Sequence, residues 1–143
     1  MRRVAKIVLA VLLMLAVASP AAHATLEKNK RLCPQRWQRG TWQVKQLIKC
    51  EVHLIRSPGG SDSALYVAWH ESRFQPDVSN GSYAGLYQHA LRYWKSRVHT
   101  WAPDFVHDPL NARTNLVVSL RMVRHDGTWC TNWFCADQAN WRG

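Results

Sequence analysis

Acidic residues are scarce in this chain. Its 143 residues include nine aspartates and glutamates against nineteen lysines and arginines, a formal net charge of +10 with histidines neutral. Such an excess draws a protein to polyanions, but cell-wall polymer, acidic lipid and nucleic acid share that sign, so charge alone selects none of them. Long apolar runs are scarce too. After residue 17 nothing approaches the roughly 20 apolar residues of a spanning helix. Strand-type alternation is almost absent, which argues against an all-β fold, and no repeat or low-complexity tract appears. The cysteines form no CxxC unit, so a zinc site has little support. His70-Glu71 begins an HExxH pattern, but Phe74 stands where the second histidine belongs. No Gly-x-Ser-x-Gly elbow marks a serine hydrolase. Neither a metal nor another cofactor is expected.

What is present begins with a leader. Arg2, Arg3 and Lys6 precede an apolar core at residues 7–17, and Ala22-His23-Ala24 fits a small-x-small cleavage site, so residues 1–24 read as a secretory signal removed after Ala24. An uncleaved anchor is the alternative. Export would place the protein outside the cytoplasm, in cell wall or periplasm, and makes nucleic acid a poor partner. The rest of the chain still carries sixteen basic groups against nine acidic ones. It is long enough for one domain with one modest core, and a monomer is expected. It divides into an N-terminal arm at residues 25–40 and a domain at residues 41–143. All four cysteines, Cys33, Cys50, Cys130 and Cys135, lie beyond the leader, and an even count in an exported domain implies two disulfides. Three pairings are possible. We favour the local one, Cys33 with Cys50 and Cys130 with Cys135, which would pin the arm to the first helix and close a small Trp-lined loop.

Helical spacing dominates the domain. Val44, Leu47, Ile48, Val52 and Ile55 predict a helix from Thr41 that stops before Ser57-Pro58-Gly59-Gly60, with His53 on its surface. Ser61-Asp62 would cap a second helix reaching about Arg73, and Pro76 turns the chain out by disfavouring helical geometry at Gln75. A loop at residues 77–83, with room for a small hairpin, leads to Ala84-Gly85-Leu86-Tyr87-Gln88; its Asn80-Gly81-Ser82 also fits a glycosylation acceptor. Leu91, Trp94 and Val98 predict a short helix at residues 89–99 with Arg92, Lys95 and Arg97 on its wet side. Asp108-Pro109 reads as an N-cap and first helical proline. The helix it opens is lined by Leu116, Val117, Leu120 and Val123 and ends near Asp126-Gly127. The fold expected is a small, mainly α, single-domain structure stapled by disulfides.

One acid is out of place. Ala64, Val67, Ala68 and Glu71 fall on one face of the second helix, so Glu71 lies on its buried stripe. A carboxylate there either borders a cleft or has a buried partner, with Arg73 or Arg113 as candidates. Glycoside hydrolysis needs a carboxylic acid held protonated near neutral pH, and an apolar helix face raises a carboxyl pKa in that way. The other acids have simpler readings. Asp62 and Asp108 read as caps, and Asp77, the nearest candidate for a second carboxylate, reads as a turn residue after Pro76. The tryptophans read as core and cleft walls.

Glu71-Ser72-x-Phe74-x-Pro76, then a loop with Ser and Gly, then Gly85-Leu86-x-Gln88, resembles the bacterial lytic transglycosylase and lysozyme-like superfamily. Residues 108–116 and 127–135 resemble the C-terminal half of its small secreted members, so the resemblance spans about residues 61–135. It implies an α+β lysozyme-like fold with a substrate cleft and a peptidoglycan-cleaving glycosidase, either a lytic transglycosylase or a hydrolytic lysozyme. Glu71 would be the general acid toward the β-1,4 oxygen bridging N-acetylmuramic acid and N-acetylglucosamine, and then the base. The sugar's own six-position hydroxyl would attack, leaving a 1,6-anhydro product. In the substrate-binding set, Gln88 would bind sugar polar groups, Ser72 and Gly85 would shape the turn, and Tyr83 and Tyr87 would lie along the cleft as stacking platforms. The family's late Ala-Tyr-Asn-Ala-Gly motif is missing, and residues 129–133 would supply that wall instead, with Trp133 in contact with substrate. The loop from Glu71 to Gln88 is one residue shorter than the common pattern. His70 stands where small secreted members often carry a cysteine, which implies a different disulfide scheme. A non-catalytic cell-wall-binding or assembly protein that keeps the fold is the reading from another class.

Overall fold

The computed structural model describes residues 24–136 and 139–142; apart from Ala24, the expected signal sequence lies outside the described residues. Among the described residues the helices are α1 (Ala24–Leu32), α2 (Thr41–Ile55), α3 (Gly60–Ser72), α4 (Leu91–Trp101) and α5 (Ala112–Asp126), with a 3-10 turn at Trp37–Arg39. A two-stranded antiparallel hairpin, β1 (Tyr83–Ala84) and β2 (His89–Ala90), pairs Tyr83 with Ala90 and Ala84 with His89. The chain is thus mainly helical and carries both disulfides in the local pairing, Cys33–Cys50 and Cys130–Cys135.

The domain is built around α5. Every residue from Ala112 to Leu120 is buried, as happens when neighbours cover a helix on all sides. α2 and α4 pack against it, and α3 packs on α2. Leu47, Ile48, Ala64, Val67, Leu116 and Leu120 join Phe74, Leu86, Tyr87, Trp94 and Trp129 in one core.

Polar side chains on a buried helix need partners. Arg113 finds them in α1 and α2: its Nη1 donates to Glu51 Oε1 at 2.8 Å and Asn29 Oδ1 at 2.6 Å, and its Nη2 to the Cys33 carbonyl at 2.6 Å. Asn29 also donates to Glu51 Oε2 at 2.6 Å. Glu51 is fully buried, and that burial raises its pKa against the pull of Asn29 and Arg113. Glu51 therefore joins Glu71 as an acid that neither a cap nor a turn explains.

Several boundaries differ from expectation. The first part of the arm is the helix α1. α3 has no side-chain cap; Gly59 at φ 74° precedes it, so Ser61 and Asp62 lie inside the helix. α5 is capped by Asn111, whose side chain accepts from Thr114 N at 3.1 Å. Asp108 instead closes a separate turn through Leu110 N at 2.9 Å. Pro109 stays outside the helix, its carbonyl accepting from Asn115 Nδ2 at 2.9 Å. His89 belongs to β2 and not to α4.

Candidate active site

α3 delivers Glu71 to the end of its buried face. Ala64, Val67 and Ala68 are fully buried, and Glu71, one turn further on, is half-buried, with its pKa raised by burial. Neither candidate partner neutralises it. Arg113 is committed to Glu51. Arg73 folds back over the Trp69 ring at 3.5 Å while its Nη1 donates to the Trp69 carbonyl at 3.2 Å. Among the described residues no cation forms an ion pair with Glu71.

The helix stops directly after it. Arg73 and Phe74 have positive φ values of 56° and 63°. Arg73 N bonds the Trp69 carbonyl at 3.0 Å and Phe74 N that of Ala68 at 3.4 Å, the paired bonds of a helix end usually made with glycine. Two non-glycine residues in this region cost about 1 kcal/mol or more each. Burial of the Phe74 ring offsets that cost. Buried Ser72 donates to the carbonyls of Ala68 at 3.2 Å and Leu86 at 2.8 Å, which stitches the helix end to residues 84–88.

α5 holds that segment from the other side. Asn115 accepts from Tyr87 N at 2.8 Å and donates to the Ala84 carbonyl at 3.2 Å. Gly85, at φ 83°, passes so close that a Cβ would meet the Pro109 carbonyl at 2.1 Å and Asn115 Nδ2 at 2.2 Å. Ser72 and Gly85 therefore shape the turn, and both are buried, so neither is a direct substrate contact. Asn115 escaped the sequence reading; its only signal was an amide on the buried face of α5.

The remaining expected contacts divide. Tyr83 is 44% exposed and lines an open hollow of about 320 Å³ with Gly81, Ser82, Leu91 and Arg92. Gln88 is half-buried at φ 46°, and its Nε2 donates to the carbonyls of Gly85 at 2.8 Å and Val78 at 3.1 Å. Its amide oxygen is what remains for a ligand. Tyr87 is a correction: it is fully buried, its hydroxyl donates to the Ala64 carbonyl at 3.0 Å, and its ring stacks on Trp129 at 5.8 Å. It is a core ring and no platform. Trp129 is also fully buried and donates to the Pro58 carbonyl at 2.9 Å. Trp133 is half-buried and donates from Nε1 to the Tyr87 carbonyl at 2.9 Å, so it braces residues 84–88 from outside. Asp77 is exposed and lines a hollow with Trp37, Gln38 and Gln75.

A buried relay beneath β2 was also missed. Arg97, expected on the wet side of α4, turns inward and donates from Nη1 to His89 Nδ1 at 2.9 Å. His89 Nε2 then donates to Ser119 Oγ at 2.8 Å, and Ser119 to the Asn115 carbonyl at 2.8 Å. Burial, with Arg97 beside it, lowers the His89 pKa to about 3, which keeps the ring neutral.

Comparison with known proteins returns no matching family model, no matching curated protein and no matching solved structure. Among the described residues no group of His, Cys, Asp or Glu is placed to hold a metal ion, and no helix is long and apolar enough to cross a membrane.

Proposed function

We propose that this chain is an exported, lysozyme-like enzyme that cleaves peptidoglycan glycan strands as a lytic transglycosylase. The observation that carries this reading is Glu71: half-buried, raised in pKa by burial, and without a cation in ion-pair contact among the described residues. A carboxyl group whose protonated form is favoured by burial can donate its proton to a glycosidic oxygen. The C1–O bond then breaks with the electron pair leaving on that oxygen. The resulting carboxylate next removes the proton of the sugar's six-position hydroxyl as that oxygen closes on C1. Asp77 is exposed and reads as a turn residue after Pro76, which leaves Glu71 as the single acid of this route. Exposed Tyr83 and the free amide oxygen of Gln88 are the substrate contacts in this reading.

Mass spectrometry of fragments released from purified peptidoglycan tests the proposal. A 1,6-anhydro end is expected. A reducing end means hydrolysis instead, and no released fragment would remove the enzyme reading in favour of a non-catalytic wall-binding protein.

A further inference from the structure

The outer face of α4 carries a basic groove that the proposed glycan chemistry does not use. Arg92, Lys95, Ser96 and His99 share one helical face, and His107 joins them from the next connection to line a hollow of about 490 Å³. The wall is built and not accidental: Trp94 Nε1 donates to the His107 carbonyl at 2.6 Å, which pins that connection against the helix. Arg92 and Lys95 supply its charge, and no carboxylate is among its lining residues. Arg92 and Lys95 are exposed, and among the described residues neither forms an ion pair. Like charges held together without counter-charge repel one another, and they gain most from a multivalent anion. Arg92 also borders the neighbouring hollow of Tyr83, Gly81 and Ser82.

We propose that this groove binds an extended polymer whose charge is carried on phosphate groups, such as a phosphodiester chain without bases. The lining favours a strand over a lipid surface, because it holds no large apolar side chain to enter a bilayer. The only aromatic rings in its lining are the imidazoles of His99 and His107, with no tyrosine or tryptophan plate for nucleobases. Binding here does not depend on the chemistry of Glu71.

The test is binding of long-chain inorganic polyphosphate to the purified protein at physiological ionic strength. Three proteins are compared: wild type, Arg92→Glu/Lys95→Glu, and Lys28→Glu/Arg31→Glu, which makes the same charge change on exposed positions of α1. Each phosphate contact is worth roughly fourfold at that salt, so the α4 variant should bind at least about tenfold more weakly and the α1 variant within about threefold of wild type. Equal weakening of both variants overturns the proposal, because binding would then read net charge alone. Tighter binding of wild type to acidic phospholipid vesicles or duplex DNA than to polyphosphate, at equal phosphate, also overturns it. Should the charge reversal fail to fold, Arg92→Gln/Lys95→Gln is read by the same criterion.

Discussion

Ser72 Oγ donates a 2.8 Å hydrogen bond to the carbonyl oxygen of Leu86. Ser72 directly follows Glu71, so this bond ties the helix end that carries the candidate acid to residues 84–88. Ser72→Ala leaves that buried carbonyl without its donor and should destabilise the fold by about 1–2 kcal/mol in urea unfolding. Glycan cleavage should fall mainly through kcat, because Glu71 keeps its chemistry and loses its placement.

Gly85→Ala should be far more damaging. The new methyl group would overlap the Pro109 carbonyl and the Asn115 amide at a residue held at φ 83°. Relief requires breaking the Asn115 bonds to Ala84 and Tyr87, so a loss of about 3 kcal/mol or more is expected in denaturant unfolding.

The Glu51–Arg113 pair predicts a particular pattern of rescue. Glu51→Leu strands a buried guanidinium and should cost about 3–5 kcal/mol. The double variant Glu51→Leu/Arg113→Met removes both charges and should recover most of that loss. A double variant no more stable than the single one would mean that the pair is not the network's main element.

His89 predicts acid lability. Its folded pKa is about 3, while an unfolded histidine titrates near 6.5. Between those values the unfolded chain binds the extra proton, so stability is fully present above about pH 6.5 and falls as pH drops toward 3, by up to about 1.4 kcal/mol per unit. Melting temperatures from pH 7 to pH 4 should show this fall, and His89→Gln should flatten it.

Much of the helical frame is legible from periodicity. The apolar spacing of α2, α3 and α5 marks their inner faces, and the same spacing puts Glu71 on the buried stripe, where the structure has it half-buried. Tyr87 was not legible in that way. A tyrosine two residues after Gly85 reads alike on a cleft or in a core, and only the bond of its hydroxyl to the Ala64 carbonyl, 23 positions away, decides. Glu51 was hidden for the same reason, since its partners Asn29 and Arg113 lie 22 and 62 positions off. Arg97 looked like a wet-side cation because its acceptor, His89, is buried in a strand and not part of α4. Local pattern reports which face is apolar; it does not report which distant polar group meets a side chain there.

The most direct measurement is release of soluble fragments from purified peptidoglycan by wild type and by Glu71→Gln. Wild type should release them, and the variant should be slower by about 100-fold or more. Because burial raises the Glu71 pKa, its ionised form is unfavourable in the folded protein at high pH. The variant should therefore melt no lower than wild type at pH 7, which separates lost chemistry from lost structure. Equal release by the two proteins, or binding without release by both, would contradict a catalytic role for Glu71.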